Sequence, residues 1–476
     1  MSSDFVGGGV VFGLLLAALV VGCAATPAPP KLTGPIEGGQ RGRPFATSHI
    51  PLGSHDYVEE EFFIAGRARA YAPREGEALG ADGIWDVVPG DGKAFRTRIL
   101  VRRPIEPEHF SGTLIVEWLN VTGGVDIDAD WAQTSAEILR RGHAWVGVSA
   151  QRAAVNGMEP TELMPVVPPP LTEWDPQRYP DLVIPDDGFS YDIFSQVGRL
   201  LASSPRATPD PLVGLQVERV IAMGASQSAH RLATYINAVH PLARVYDGYL
   251  IHVRFGRGAP LMANGPRISP LRLRADLDVP VLAVNTESEA LAHFAARRED
   301  GERYRYWEIA GASHQDAFVS SVVAEQFRRD LGFEMTSCNR PVNTLPARYV
   351  MNAALRSLDA WIREGMPPAS IARIEISGSP PQIARDESGN ARGGLRMPQI
   401  AAPVARYGPE NSPGACRLMG MTIPFDGEAL RRLYSSRADY RSRYEAAARS
   451  AIEQGFLLPE DLGPVLDEAR RAPFPD

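Results

Sequence analysis

The chain has 476 residues, 44% hydrophobic and 22% charged, with a formal net charge of −8. That is the composition of a folded protein with room for one large domain with additions, or for two. The negative balance argues against nucleic acid as a partner, because neutralising phosphates takes clustered Lys and Arg. After the N-terminus no run is apolar and long enough to cross a bilayer.

Residues 1–23 stand apart. Phe5 to Gly22 carries no charge and leads into Cys23. A short apolar stretch ending in small residues has the form of a secretory signal. The cysteine after Gly22 resembles a bacterial lipobox, in which Cys23 would be lipidated, anchoring an exported protein to a membrane. The opening residues depart from that pattern by lacking Lys and Arg and carrying Asp4; a plain signal peptide or an uncleaved anchor is the alternative. Residues 24–45, rich in Pro at first, read as a flexible tether. The core is expected at 46–375, and a C-terminal extension packing on it at 376–476.

From 62 to 103, short β-like runs alternate with Gly, Pro and Asp turns, which predicts an antiparallel portion of sheet. The run 113–119 is a buried strand leading into the loop Asn120-Val121-Thr122-Gly123-Gly124. Asp126, Asp128 and Asp130 alternate as in a calcium loop but lack its glycine and closing glutamate; they read as a solvated acidic loop or a helix start near Asp130. Helical spacing at 132–141 feeds a strand at 144–149. A Pro-rich insertion, 152–188, carries Trp174 and Tyr179, with Phe189 and Tyr191 at its edge; it is expected to wall a partly apolar pocket together with the C-terminal segment. A helix follows near 191–202. Apolar strands alternating with helices mark a mostly parallel α/β sheet.

The strand at 217–223 runs into Gly224-Ala225-Ser226-Gln227-Ser228, and 229–239 is helical. This matches a nucleophile elbow, where a strand turns sharply into a helix and small flanking residues make room for the turn. Ser228 stands where a glycine is usual. A serine needs a base within hydrogen-bond reach, and the chain order for this arrangement is Ser, acid, His. The strand at 304–309 leads into Gly311-Ala312-Ser313-His314, so His314 is the expected base. His230, His252 and His293 read as surface or packing histidines.

The strand at 279–285 precedes two acids, Glu287 and Glu289. The greater distance from the strand end favours Glu289, with Glu287 left open. An oxyanion would be held by the backbone N–H of Gln227 and by the loop at Asn120 and Val121. Cys338 and Cys416 either pair as a disulfide or remain free thiols. No zinc spacing, Walker loop or dinucleotide fingerprint is present, so no metal or cofactor is expected.

From about Thr113 onward the chain resembles the alpha/beta hydrolase domain family of bacteria and fungi, within the α/β-hydrolase superfamily. The carriers are 116–121, 224–228, 286–289, 307–314, 389–398 and 416–425, and the Ser-Gln-Ser elbow is itself a trait of that family. The resemblance implies the α/β-hydrolase fold, with helices on both faces of a central sheet, and cleavage of a small-molecule carboxylic ester. Fold does not set the acyl acceptor, so acyl transfer or thioester cleavage on the same residues is an alternative. A non-catalytic surface lipoprotein that binds a ligand or partner is the rival of another class.

Overall fold

The computed structural model describes residues 1–2, 29–160, 166–203, 208–335, 337–472 and 474. Cys23 and the apolar leader before it lie outside the described residues. Three antiparallel strands open the sheet: β1 (Lys31–Thr33), β2 (Tyr57–Pro73) and β3 (Val87–Pro104). Six more follow: β4 (Thr113–Trp118), β5 (Ala144–Val148), β6 (Arg219–Ala225), β7 (Gly248–His252), β8 (Val281–Thr286) and β9 (Tyr304–Ile309). Their sequences are near-continuous apolar runs, as expected of strands covered on both faces. They pair in parallel, and the sheet order is β1-β2-β3-β5-β4-β6-β7-β8-β9.

Six helices matter for the site: α1 (Ala129–Arg141), α2 (Ser190–Ala202), α3 (Gln227–Thr234), α4 (Glu287–His293), α5 (Ala317–Leu331) and α6 (Arg348–Glu364). The alternation of side chains along each strand divides the core in two. Val116, Ala222 and Tyr249 face a cluster with Phe194 of α2 and Leu232 of α3. Ile115, Ile221 and Leu250 face another with Ile138 of α1 and Leu358 of α6. The chain leaves β4 for β5 on one side and returns to β6 on the other. Such a switch point opens a crevice at the carboxyl ends of the strands.

Three expectations are corrected. Residues 31–45 are not a free tether. β1 pairs with β2, Phe45 is fully buried, and the backbone amides of Gln40 and Arg41 donate to the Asp175 carboxylate. Of the two readings of the acidic triplet, the helix start near Asp130 holds, with α1 beginning at Ala129, and the solvated loop does not. Asp126 meets Arg98 at 2.8 Å, Asp128 meets Arg102 at 2.6 Å, and Asp130 lies 3.0 Å from His252 Nδ1, all in the interior. Arg102 is further sandwiched between the rings of Trp131 and Trp145, at 4.5 and 4.3 Å, a cation–π arrangement that compensates a buried guanidinium. The third correction concerns the aromatics of the Pro-rich insertion and its edge. Trp174, Tyr179, Phe189 and Tyr191 are buried core residues, with Trp174 Nε1 donating to the Asp330 carbonyl and the Tyr179 hydroxyl to Glu61.

Candidate active site

β6 ends at Ala225, and the chain turns at once into α3. Ser226 sits at the turn with φ of 58° and ψ of −113°, a backbone conformation that costs a non-glycine residue free energy and persists only where its surroundings impose it. Its N–H donates to the His252 carbonyl, and its own carbonyl accepts from the His230 N–H. The turn is tight enough to explain its small residues. A methyl group on Gly224 would lie 3.1 Å from both Ser228 Cβ and Leu232 Cδ1.

Ser226 Oγ lies 2.9 Å from His314 Nε2, and His314 Nδ1 lies 2.7 Å from Glu289 Oε1. A carboxylate only accepts, so Nδ1 donates to Glu289 and Nε2 is left to accept from the serine hydroxyl. The imidazole is fixed from several sides. Phe255 stacks on it at 5.0 Å, and the His314 N–H donates to Ser288 Oγ. Glu289 Oε2 accepts from both the N–H and the hydroxyl of Thr286. Thr286 caps α4, and Glu289 at its third position returns the bond to the cap, which makes a capping box.

The sequence left two acids open, and they have separate partners. Glu287, also buried, accepts from the Gly311 N–H at 2.8 Å and pairs with Arg385 at 2.5 Å. Burial pushes its carboxyl above the usual range, opposed by Arg385 and the Gly311 amide.

The loop after β4 departs from expectation at one residue. The Asn120 N–H donates to the Ile127 carbonyl at 2.9 Å, and its side-chain amide donates to the Ala225 carbonyl. Asn120 therefore ties this loop to the elbow, and its N–H is not free for an oxyanion. Val121 lies next to it in the same turn, which closes with a bond from the Gly124 N–H to the Val121 carbonyl.

A cavity of about 140 Å³ opens beside Ser226 and His314. Its walls are mostly apolar. Val319, Val323 and Phe327, four residues apart, project from one face of α5. Leu418 and Met419 come from the C-terminal region, where Cys338 and Cys416 form a disulfide and the Gln315 N–H donates to the Leu418 carbonyl. The C-terminal segment thus contributes wall, and among the described residues the 152–188 insertion does not.

His252, expected to be a surface or packing histidine, lines this cavity too and is 2% exposed. His230 and His293 are buried, with ring protonation disfavoured first by burial and then by nearby arginines, and neither ring bonds Ser226 among the described residues. Among the described residues no group of three or more His, Cys, Asp or Glu side chains is arranged to hold a metal ion.

The sequence pattern of the family described as "Alpha/beta hydrolase domain" matches residues 32–466. The chain belongs to that family. No curated protein matches this hydrolase-family chain. Solved structures similar to it include acetyl xylan esterase 1 from Thermoanaerobacterium sp., at 10% identity and a TM-score of 0.30 over 59% of this chain and 81% of that one. Fungal esterases from Rhizomucor miehei are similar at 12% identity and a TM-score of 0.28, over 64% and 85% of the two chains. A carboxylesterase from Lactobacillus plantarum is similar at 11% identity and a TM-score of 0.25, over 42% and 74%.

Proposed function

We propose that this protein is a serine hydrolase that cleaves a carboxylic ester through an acyl-enzyme. The observation that carries the reading is the continuous line from the Ser226 hydroxyl through the His314 ring to the Glu289 carboxylate, beside an apolar cavity. In this reading His314 Nε2 takes the hydroxyl proton as Ser226 Oγ attacks the ester carbonyl. Glu289 holds the ring in the required tautomer and stabilises the imidazolium. The oxyanion forms against the N–H of Gln227, at the start of α3, and against an N–H of the β4 loop at Val121. His314 then protonates the departing alcohol. A water molecule, deprotonated by the same ring, releases the acid and restores Ser226.

Turnover of short-chain p-nitrophenyl esters tests this. The wild type should release p-nitrophenol with no added acceptor alcohol, and Ser226→Ala should not. Equal release by both proteins would remove the reading, and release that requires an added alcohol would point to acyl transfer. We further propose that the protein is exported and anchored through Cys23, supported by the leader pattern and by a disulfide suited to an oxidising compartment. Incorporation of labelled fatty acid that disappears in Cys23→Ala is the expected result.

A further inference from the structure

The cavity beside Ser226 contains a polar station that the chemistry of Ser226 and His314 does not use. Thr122 follows β4, Gln133 is on α1, His252 ends β7 and Gln315 follows His314. All four line the cavity. In each, one buried polar atom lacks a hydrogen-bond partner among the described residues: Thr122 Oγ1, Gln133 Oε1, His252 Nε2 and Gln315 Nε2. Gln133 and His252 are 4% and 2% exposed. Leaving such atoms unpaired is unfavourable, and four around one apolar cavity are more than packing asks for.

His252 is held in place from behind. Its Nδ1 lies 3.0 Å from Asp130 Oδ1, and Asp130 is fully buried at the start of α1. The Asp130 N–H is in turn fixed by Glu117. A bond serving only to join α1 to β7 would need Nδ1 alone. The pairing instead presets the ring and leaves Nε2 without a hydrogen-bond partner.

We infer that this station binds a hydroxyl group on the ester, so that the substrate is a hydroxylated ester with an otherwise apolar body. The inference rests on the serine-hydrolase reading above. The station offers an acceptor at Gln133, a donor at Gln315 and both at Thr122, with the unpartnered His252 Nε2 beside them. A hydroxyl can donate and accept at once and so satisfies both kinds. A carboxylate has no proton for Gln133 Oε1 and would approach Asp130; an ammonium has no lone pair for Gln315.

The test compares kcat/KM within two matched pairs, placing the hydroxyl on either side of the ester. One pair is p-nitrophenyl 3-hydroxybutyrate and p-nitrophenyl butyrate; the other is 2-hydroxypropyl butyrate and propyl butyrate. A site built to bond a hydroxyl rejects the analogue lacking it, so the wild type should favour the hydroxylated member of one pair by at least about tenfold. The pair that responds says whether the acyl or the alcohol part fills the cavity. His252→Phe and Gln133→Leu should each bring that ratio towards one, and either variant suffices if the other does not fold. Esters cleaved by the wild type with ratios near one in both pairs would overturn this inference and leave the hydrolase reading standing. So would a preference that survives the substitutions, or a stronger preference for a succinyl or 3-aminobutyryl ester. Failure of every ester to turn over would instead defeat the hydrolase reading, and this inference with it.

Discussion

Glu289 and Glu287 stand two residues apart at the start of α4 and hold different partners, the first the His314 ring at 2.7 Å and the second Arg385 at 2.5 Å. Their amide variants should therefore separate. Glu289→Gln leaves the shape intact but no longer sets the imidazole tautomer, and kcat should fall on the order of 10³–10⁴-fold. Glu287→Gln should act mainly on stability, lowering it by about 1–3 kcal/mol through the weakened pairing of a buried group. Steady-state kinetics and denaturant unfolding of both variants check this, and a larger kcat loss at Glu287 would reverse the assignment.

The elbow's crowding makes a second prediction. Gly224→Val places branched carbon against Ser228 and Leu232, where even a single methyl would lie at 3.1 Å. Overpacking of this kind lowers stability by about 1–3 kcal/mol and would also shift Ser226 relative to His314. Ser228→Gly removes the Cβ that such a side chain would meet and should retain activity. Unfolding midpoints and kcat for the two variants provide the comparison.

The Cys338–Cys416 disulfide holds the segment that supplies Leu418 and Met419 to the cavity wall. The bridge spans 78 residues of sequence, and removing such a cross-link typically lowers stability by about 2–4 kcal/mol. Replacing both cysteines with serine should raise KM more than it lowers kcat, because the wall moves while the Ser226–His314 line stays. An unchanged KM would detach the disulfide from substrate binding.

His293 makes a prediction about pH. Its ring is buried, lies 2.8 Å from the Arg254 carbonyl through Nδ1, and stacks on Tyr306. Burial first, then the Arg254 charge, hold its pKa well below the ordinary value. The unfolded chain protonates this histidine below about pH 6.5, while the folded chain keeps it neutral. Stability from this group is thus complete above that pH and is lost as pH falls, at up to about 1.4 kcal/mol per pH unit. His293→Gln should show a correspondingly shallower decline between pH 7 and 5 than the wild type. The difference between the two proteins isolates His293, since buried acids such as Glu117 and Asp316, whose pKa values are raised, titrate in both. Parallel stability curves would contradict the assignment.

The parallel strands around the site are legible because largely apolar runs such as β4 and β6 lead straight into the turns that hold Asn120 and Ser226. β7 has no clear strand pattern in the sequence. Gly248–His252 is only five residues long and wholly buried, so it has no alternation to mark it. The place of His252 is obscured with it, since its partner Asp130 lies 122 residues away in sequence. The choice between the two glutamates did have a local signal: Thr286 and Glu289 have the spacing of a capping box, which pins the second acid at the helix start. Nothing comparable marks Asp126 and Asp128 as buried, since Arg98 and Arg102 come from a strand of the antiparallel hairpin. The cavity wall was half readable. The four-residue spacing of Val319, Val323 and Phe327 is a helical face, whereas Leu418 and Met419 arrive through the disulfide.

The most direct test of the central claim is intact-protein and peptide mass spectrometry after treatment with a fluorophosphonate. One adduct per chain is expected, on Ser226, with Ser226→Ala unmodified and His314→Ala modified far more slowly. An adduct elsewhere with Ser226 free, or equal modification of wild type and Ser226→Ala, would contradict it.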